Sequence, residues 1–122
     1  MKVSEVMTGK PRTIKAEEDV LTAAKRLVEL EVGGLPVEKD DRLIGMLTDR
    51  DIVVRVVAKN RDPAKTKVEE VATKGAKYCF DDEDIAHVAQ NMDELLIRRL
   101  PVLNRDKRLI GIVSIEDIRP RQ

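Results

Sequence analysis

The sequence is poor in aromatic residues and has no excess of charge of either sign. Among 122 residues there is one tyrosine, one phenylalanine and no tryptophan, so there are almost no rings on which nucleic-acid bases could stack. Lysine plus arginine and aspartate plus glutamate number 23 each, which leaves no net charge to attract a polyanion. Both observations argue against a nucleic-acid-binding protein.

Cysteine, histidine and long apolar runs are equally scarce. Cys79 is the only cysteine and His87 the only histidine, which excludes an internal disulfide and a Cys/His metal cluster. No apolar run approaches the roughly 20 residues of a membrane-spanning helix, and the first residues do not resemble a signal peptide. No catalytic triad, P-loop or Gly-x-Gly-x-x-Gly motif is present. We therefore expect a cytoplasmic protein without metal, required cofactor or enzymatic activity.

The sequence does contain an internal repeat. Arg42–Ile52 (RLIGMLTDRDI) aligns with Arg108–Ile118 (RLIGIVSIEDI), and six of the eleven positions are identical. The match extends upstream, where Leu35-Pro36-Val37 recurs as Leu100-Pro101-Val102 and Thr8 pairs with Thr73. The sequence therefore predicts one repeat over residues 1–58, a polar linker over 59–67 and a second repeat over 68–122.

Each repeat shows the same pattern of secondary structure. A short extended segment leads into an acidic helix start and an amphipathic helix, and two short strands around a charged turn then precede a second helix. The order is β-α-β-β-α, twice, in a mixed α/β (α+β) fold. Because a unit of about 50 residues buries too little apolar surface to be stable alone, we expect the repeats to pack sheet to sheet about a pseudo-twofold axis.

The helix that follows Thr48 is apolar on more than one side. Its apolar residues spread well beyond a one-sided stripe; they are Ile52, Val53, Val54, Val56 and Val57. This breadth favours a homodimer built partly from this helix, and the alternative is that both faces are used within one chain.

At the repeated motif the chain resembles the cystathionine-β-synthase (CBS) domain, a family that occurs as tandem pairs and binds adenosyl ligands. The resemblance is carried by Gly45–Asp51 and Gly111–Asp117, which share a Gly-h-h-Thr/Ser-x-x-Asp pattern (h, apolar), and by the two Leu-Pro-Val segments. It covers nearly the whole chain. It implies a free-standing CBS pair with one cleft for each repeat, the two clefts being related by the pseudo-twofold axis.

The resemblance also implies a role for each residue of the two clefts. Thr48 and Ser114 would contact phosphate, while Asp51 and Asp117 would hold a ribose diol, as aspartate does in dinucleotide folds. The remaining cleft residues would surround adenine. The segments that would present backbone groups to the base are Thr13-Ile14 and Cys79-Phe80, and the apolar walls would be Leu35-Pro36 and Leu100-Pro101.

The same hydroxyl and carboxylate residues have a purely structural interpretation. Thr48-x-x-Asp51 and Ser114-x-x-Asp117 are close to capping boxes, which satisfy the free N–H groups of a first helical turn without any ligand. Both interpretations stay open, since one residue can serve both purposes.

The two clefts differ in their arginines. The second repeat has Arg98-Arg99 where the first has Gly33-Gly34, and Arg50 is replaced by Glu116 in the second repeat. Arginine can bind phosphate through two hydrogen bonds, which favours a phosphorylated nucleotide and uneven affinity between the clefts. The alternative is that Arg98 and Arg99 are solvated and face surface carboxylates.

Taken together with these patterns, the family resemblance implies a non-catalytic sensor of adenine nucleotides (AMP, ADP or ATP). One alternative is a ligand-free dimeric interaction module. Another is a binder of S-adenosylmethionine, NAD or cyclic di-AMP.

Overall fold

The structure, a computed structural model, describes residues 1–119, so that Pro120 and the last two residues of the predicted second repeat lie outside it. The strands are β1 (Thr8–Gly9), β2 (Ile14–Lys15), β3 (Gly34–Lys39), β4 (Arg42–Thr48), β5 (Thr73–Lys74), β6 (Cys79–Phe80), β7 (Arg99–Leu103) and β8 (Leu109–Ser114). The helices are α1 (Val20–Leu30), α2 (Asp49–Ile52), α3 (Val68–Val71), α4 (Ile85–Leu95) and α5 (Ile115–Ile118). The predicted order β-α-β-β-α is confirmed as β2-α1-β3-β4-α2 and again as β6-α4-β7-β8-α5.

One compact unit comprises Arg12–Ala76. Its sheet has the order β2-β3-β4-β5, in which β2 runs parallel to β3 and the other neighbours are antiparallel. Helix α1 begins where Asp19 accepts a hydrogen bond of 2.8 Å from the N–H of Thr22, as the acidic stretch predicts. The apolar stripe of α1 and the inward residues of β3 and β4 form the core; its central members are Val20, Ala23, Leu27, Leu35, Val37 and Leu47.

The other compact unit combines Met1–Pro11 with Lys77–Gln122. Its sheet has the order β1-β8-β7-β6, with β6 parallel to β7. Helix α4 is capped by Asp84, whose carboxylate accepts from the N–H of Ala86 at 3.1 Å. The core repeats the pattern of the first unit with Val88, Met92, Leu100, Val102 and Val113.

Each sheet is completed by a short strand from the start of the other sequence repeat. Strand β1, at the start of the first repeat, pairs with β8 of the second repeat. Strand β5, at the start of the second repeat, pairs with β4 of the first repeat. The repeat alignment detects the equivalence of Thr8 and Thr73 but not these strands, because two residues are too short to show a periodicity. The predicted repeats, residues 1–58 and 68–122, are defined by sequence similarity, and their bounds stay a prediction. The compact units of the structure divide the chain at other positions.

The turns and the second helices show what distinguishes the two repeats. Asp40 and Asp41 both adopt left-handed conformations, which makes a two-residue hairpin turn. The second repeat has one residue more between Val102 and Arg108 than the first has between Val37 and Arg42. Its turn is held by Asn104, whose side-chain oxygen accepts from two backbone N–H groups. Helix α2 continues as a π-helical turn over Val53–Val57, with Val56 buried while Val53 and Val57 are 57% and 67% exposed. No helix within residues 1–119 is long and apolar enough to cross a membrane.

Candidate functional site

The first candidate site lies where β3 begins and β4 ends, and we call the group of Gly33, Gly34, Thr48 and Asp51 the first corner. Gly34 pairs with Thr48 across the two strands, and the N–H of Asp49 donates to the carbonyl of Gly33 at 2.9 Å. The Thr48 hydroxyl accepts from the N–H of Asp51 at 3.1 Å, and Asp51 Oδ2 accepts from the N–H of Thr48 at 2.9 Å. This reciprocal pair is the predicted capping box.

The second carboxylate oxygen of Asp51 is also occupied by the protein. The Thr73 hydroxyl donates to Asp51 Oδ1 at 2.9 Å, and Arg55 Nη1 lies 3.8 Å from the same oxygen. The same Arg55 nitrogen donates to the carbonyl of Val71 at 2.8 Å. Asp51 is consequently only 9% exposed. The family resemblance implies that the side chain of Asp51 accepts from ribose, but the sequence does not indicate Thr73 or Arg55, which contact Asp51 only in the tertiary structure.

The glycines of the repeated motif, Gly45 and Gly111, explain how β5 lies so close to β4 and β1 so close to β8. A Cβ atom at Gly45 would lie 2.4 Å from the Thr73 carbonyl oxygen, and one at Gly111 would lie 2.8 Å from the Thr8 carbonyl oxygen. Glycine, which has no Cβ, leaves room for a close neighbour at these positions. At Gly45 the neighbour that approaches is the backbone of β5, and at Gly111 it is the backbone of β1 together with the Met7 sulfur, which would lie 2.7 Å from the added Cβ.

The second corner is formed in the same way by Arg98, Arg99, Ser114 and Asp117. Arg99 pairs with Ser114 across β7 and β8, and the N–H of Ile115 donates to the carbonyl of Arg98 at 2.8 Å. The Ser114 hydroxyl accepts from the N–H of Asp117 at 3.2 Å, while Asp117 Oδ2 accepts from the N–H of Ser114 at 2.8 Å. The second capping box is therefore also confirmed.

Asp117 differs from Asp51 in its remaining oxygen. Within residues 1–119, Oδ1 of Asp117 accepts no hydrogen bond, and the side chain is half-buried. Thr8 occupies in β1 the position that Thr73 has in β5, opposite Ile112 rather than Met46, but its hydroxyl makes no such bond. The two corners thus share a backbone arrangement, and they differ in whether Oδ1 of the aspartate accepts a hydrogen bond from residues 1–119.

The arginines of the corners are unequal as well. Arg98 forms a hydrogen-bonded ion pair with Glu116, and this contact lowers the pKa of the Glu116 carboxyl below its usual value. Arg98 therefore faces a surface carboxylate, as the structural alternative expects. The guanidinium groups of Arg99 and Arg50 are exposed and have no ion-pair partner in the part of the chain that the structure describes.

Strands β2 and β6 contain the segments expected to face adenine, and they pair with β3 at Val37–Glu38 and with β7 at Val102–Leu103, at least three residues along those strands from the corners. The carbonyl of Thr13 accepts from Arg26 Nη1 at 3.0 Å, and the Ile14 side chain is buried. Cys79 is buried, and burial raises the pKa of its thiol to about 12. Phe80 lies beneath the guanidinium of Arg105, whose Cζ is 4.1 Å from the ring centre.

The predicted apolar walls belong to the cores of the two units. Leu35 and Leu100 are buried in their respective hydrophobic clusters, and Pro36 and Pro101 are buried beside them. His87 lies on the exposed side of α4. Among residues 1–119 no group of three or more His, Cys, Asp or Glu side chains could hold a metal ion.

Two repeats with the Gly-h-h-Thr/Ser-x-x-Asp corner and the order β-α-β-β-α define the class. The chain belongs to the CBS domain family, whose model matches residues 3–58 and 68–121.

Individual relatives extend over almost the whole chain. Hypoxic response protein 1 of Mycobacterium tuberculosis is 40% identical over 108 residues, which are 87% of this chain and 75% of that protein. A crystal structure of Hypoxic Response Protein I with two coordinated zinc ions has a TM-score of 0.84 at 33% identity, covering 100% of this chain and 99% of that one.

Two further solved structures contain adenosyl compounds. A CBS domain pair in complex with 5′-methylthioadenosine and S-adenosyl-L-methionine has a TM-score of 0.76 at 30% identity, covering 98% of this chain and 93% of its own. A second protein, CBSX2 in complex with AMP, has a TM-score of 0.79 at 28% identity, covering 96% and 92% of the two chains.

Proposed function

We propose that this protein is a non-catalytic regulatory module that binds an adenine nucleotide of the AMP, ADP or ATP class. The observation that carries the proposal is the duplicated corner, in which a hydroxyl and a carboxylate stand at the end of a strand beside a cationic side chain. Two structural neighbours of the same family were solved with adenosyl compounds, which supports an adenosyl ligand here.

The chemistry of the corners suits such a ligand. A carboxylate oxygen can accept hydrogen bonds from both hydroxyls of a ribose, and the half-buried position of Asp117 strengthens those bonds by limiting competition from water. Arg99 and Arg50 are exposed guanidinium groups beside their corners, and guanidinium binds phosphate oxygens in a bidentate manner. These cations favour a phosphorylated nucleotide over the uncharged 5′-methylthioadenosine.

The competing function is an interaction module with empty corners. The complete capping boxes favour it, because Thr48 and Ser114 already use their hydroxyls to accept backbone hydrogen bonds. Under this alternative the aspartates only stabilise the chain, so that their removal costs about 1 kcal/mol each and affects no ligand.

The proposal includes a cytoplasmic homodimer. Its support is the exposed valine surface of the π-helical turn, made of Val53, Val54 and Val57, which leaves large apolar side chains in water. Val57→Glu would place a charge in such an interface and convert the dimer to a monomer, as measured by sedimentation equilibrium. Val28→Glu, at a valine of α1 that is 78% exposed against 67% for Val57, is the matched control that leaves the assembly unchanged.

A thermal-shift screen tests the ligand. The compounds are AMP, ADP, ATP, S-adenosylmethionine, NAD and cyclic di-AMP, with and without magnesium. A ligand specific for the folded state stabilises it by about 2.7 kcal/mol at 100 times its dissociation constant, which raises the melting temperature by several degrees.

The double variant Asp51→Ala/Asp117→Ala separates the two candidate functions. A shift with a nucleotide that disappears in the double variant supports the proposal. If the wild type shows no shift with any compound at millimolar concentration, or if the double variant binds as the wild type does, the nucleotide-binding proposal is wrong.

A further inference from the structure

The two corners differ in one hydrogen bond that the repeated sequence does not reveal. In the first corner Oδ2 of Asp51 accepts the Thr48 N–H and Oδ1 accepts the Thr73 hydroxyl at 2.9 Å. In the second corner Oδ2 of Asp117 accepts the Ser114 N–H, and Oδ1 accepts nothing from residues 1–119. The oxygen that would receive a ribose diol therefore accepts the Thr73 hydroxyl in the first corner and accepts no hydrogen bond from residues 1–119 in the second.

We infer that Thr73 is an intramolecular competitor for Asp51 and so determines which corner binds ligand first. The inference rests on the proposed function and deepens it. Each carboxylate oxygen has two acceptor positions, so a ribose that uses both hydroxyls on Asp51 Oδ1 has to displace the Thr73 hydroxyl, and this carboxylate is only 9% exposed. A ribose at the second corner meets an oxygen that no described side chain occupies. The second corner, with Asp117 and Arg99, is the high-affinity site.

The contacts around Thr73 explain why the competitor stays in place. Strand β5 is paired with β4, so that Thr73 lies opposite Met46 and its hydroxyl is held near Asp51. Arg55 connects α3 to the first corner, because its Nη1 donates to the carbonyl of Val71 and lies 3.8 Å from Asp51 Oδ1. A group fixed by backbone pairing loses little entropy when it makes its hydrogen bond, and this preorganisation favours it over a ligand from solution. Occupation of the first corner would therefore release a side-chain contact of β5.

Isothermal titration of the purified full chain with AMP, ATP and S-adenosylmethionine in turn tests the inference. For whichever compound binds, we expect one equivalent per chain in the wild type and an affinity at least about tenfold lower in Asp117→Ala. Thr73→Val is nearly isosteric and frees Asp51 Oδ1, so we expect it to bind a second equivalent. Thr8→Val changes the corresponding threonine of β1, whose hydroxyl makes no hydrogen bond to Asp117, and is expected to behave like the wild type.

Several results would overturn the inference while leaving the proposed function intact. They are two equal sites in the wild type, a single site that Asp51→Ala abolishes and Asp117→Ala does not, and a Thr73→Val variant that still binds one equivalent. The wild-type stoichiometry and the Asp117→Ala titration do not depend on the folding of any variant at Asp51. If none of the three compounds binds the wild type, the proposed function itself fails, and the inference fails with it.

Discussion

Replacing Gly45 with alanine would place a Cβ atom 2.4 Å from the Thr73 carbonyl oxygen and 3.5 Å from the Cα of Lys74. Both neighbours are backbone atoms, so no side-chain rotation relieves the clash and β5 has to move away from β4. Inserting a carbon into such a packed site costs about 1–3 kcal/mol. Displacing β5 also weakens the bond from Thr73 to Asp51, and the lower backbone entropy of alanine in the unfolded chain offsets only about 0.5–1 kcal/mol.

The expected net loss in the free energy of unfolding is about 2–3 kcal/mol, with a melting temperature lower by roughly 10 °C. Urea denaturation followed by circular dichroism measures it. Gly9→Ala is the matched control, because Gly9 lies in β1 and nothing is within 4 Å of its Cβ position. A Gly45→Ala protein that unfolds within about 0.5 kcal/mol of the wild type would show that β5 does not lie against Gly45 as described.

Three further predictions concern the helix ends, the thiol and the acid limb of stability. Leu96 ends α4 in a left-handed conformation and is 90% exposed, so Leu96→Gly should raise the free energy of unfolding by about 0.5–1 kcal/mol, and an unchanged melting temperature would contradict this. Because burial raises the pKa of the Cys79 thiol to about 12, iodoacetamide at neutral pH should label it only in denaturant, and labelling of the native protein would refute its burial. Arginine contacts lower the pKa values of Asp82 and Glu116, so their stabilisation is present above the unfolded pKa values and is lost as the pH falls below about 4. High salt should reduce the slope of melting temperature against pH, and an identical slope at high salt would exclude these surface pairs as its source.

How far the sequence predicts the structure depends on the range of the interaction. The amphipathic stripes of α1 and α4, the capping carboxylates of Asp19 and Asp84, and the hairpin strands all follow from local patterns, which the duplication doubles. The bond from Thr73 to Asp51 joins residues 22 positions apart and depends on which strand β5 pairs with. The local sequence does not distinguish Thr73 from Thr8, because each follows an apolar segment and begins a two-residue strand.

Arg98 and Arg99 also show that the sequence does not determine contacts made in the tertiary structure. The sequence indicates a cationic pair at the second corner, and it leaves open whether the pair faces ligand or surface carboxylate. The fold decides this separately for each residue, since Arg98 reaches Glu116 on the first turn of α5 and Arg99 does not. A side chain of this length can reach several partners from one backbone position, so its partner follows from tertiary packing rather than from spacing.

Because β1 and β5 each complete the sheet of the other repeat, the sequence repeat and the folded unit are different segments of the chain. The predicted linker, residues 59–67, lies inside the compact unit Arg12–Ala76 rather than at its border. A protease cut there would leave the N-terminal fragment still supplying β1 to the second sheet, and the C-terminal fragment still supplying α3 and β5 to the first. The two fragments should therefore remain associated after cleavage and reassemble when mixed, whereas a single repeat produced alone would expose the unpaired edge of β4 or β8.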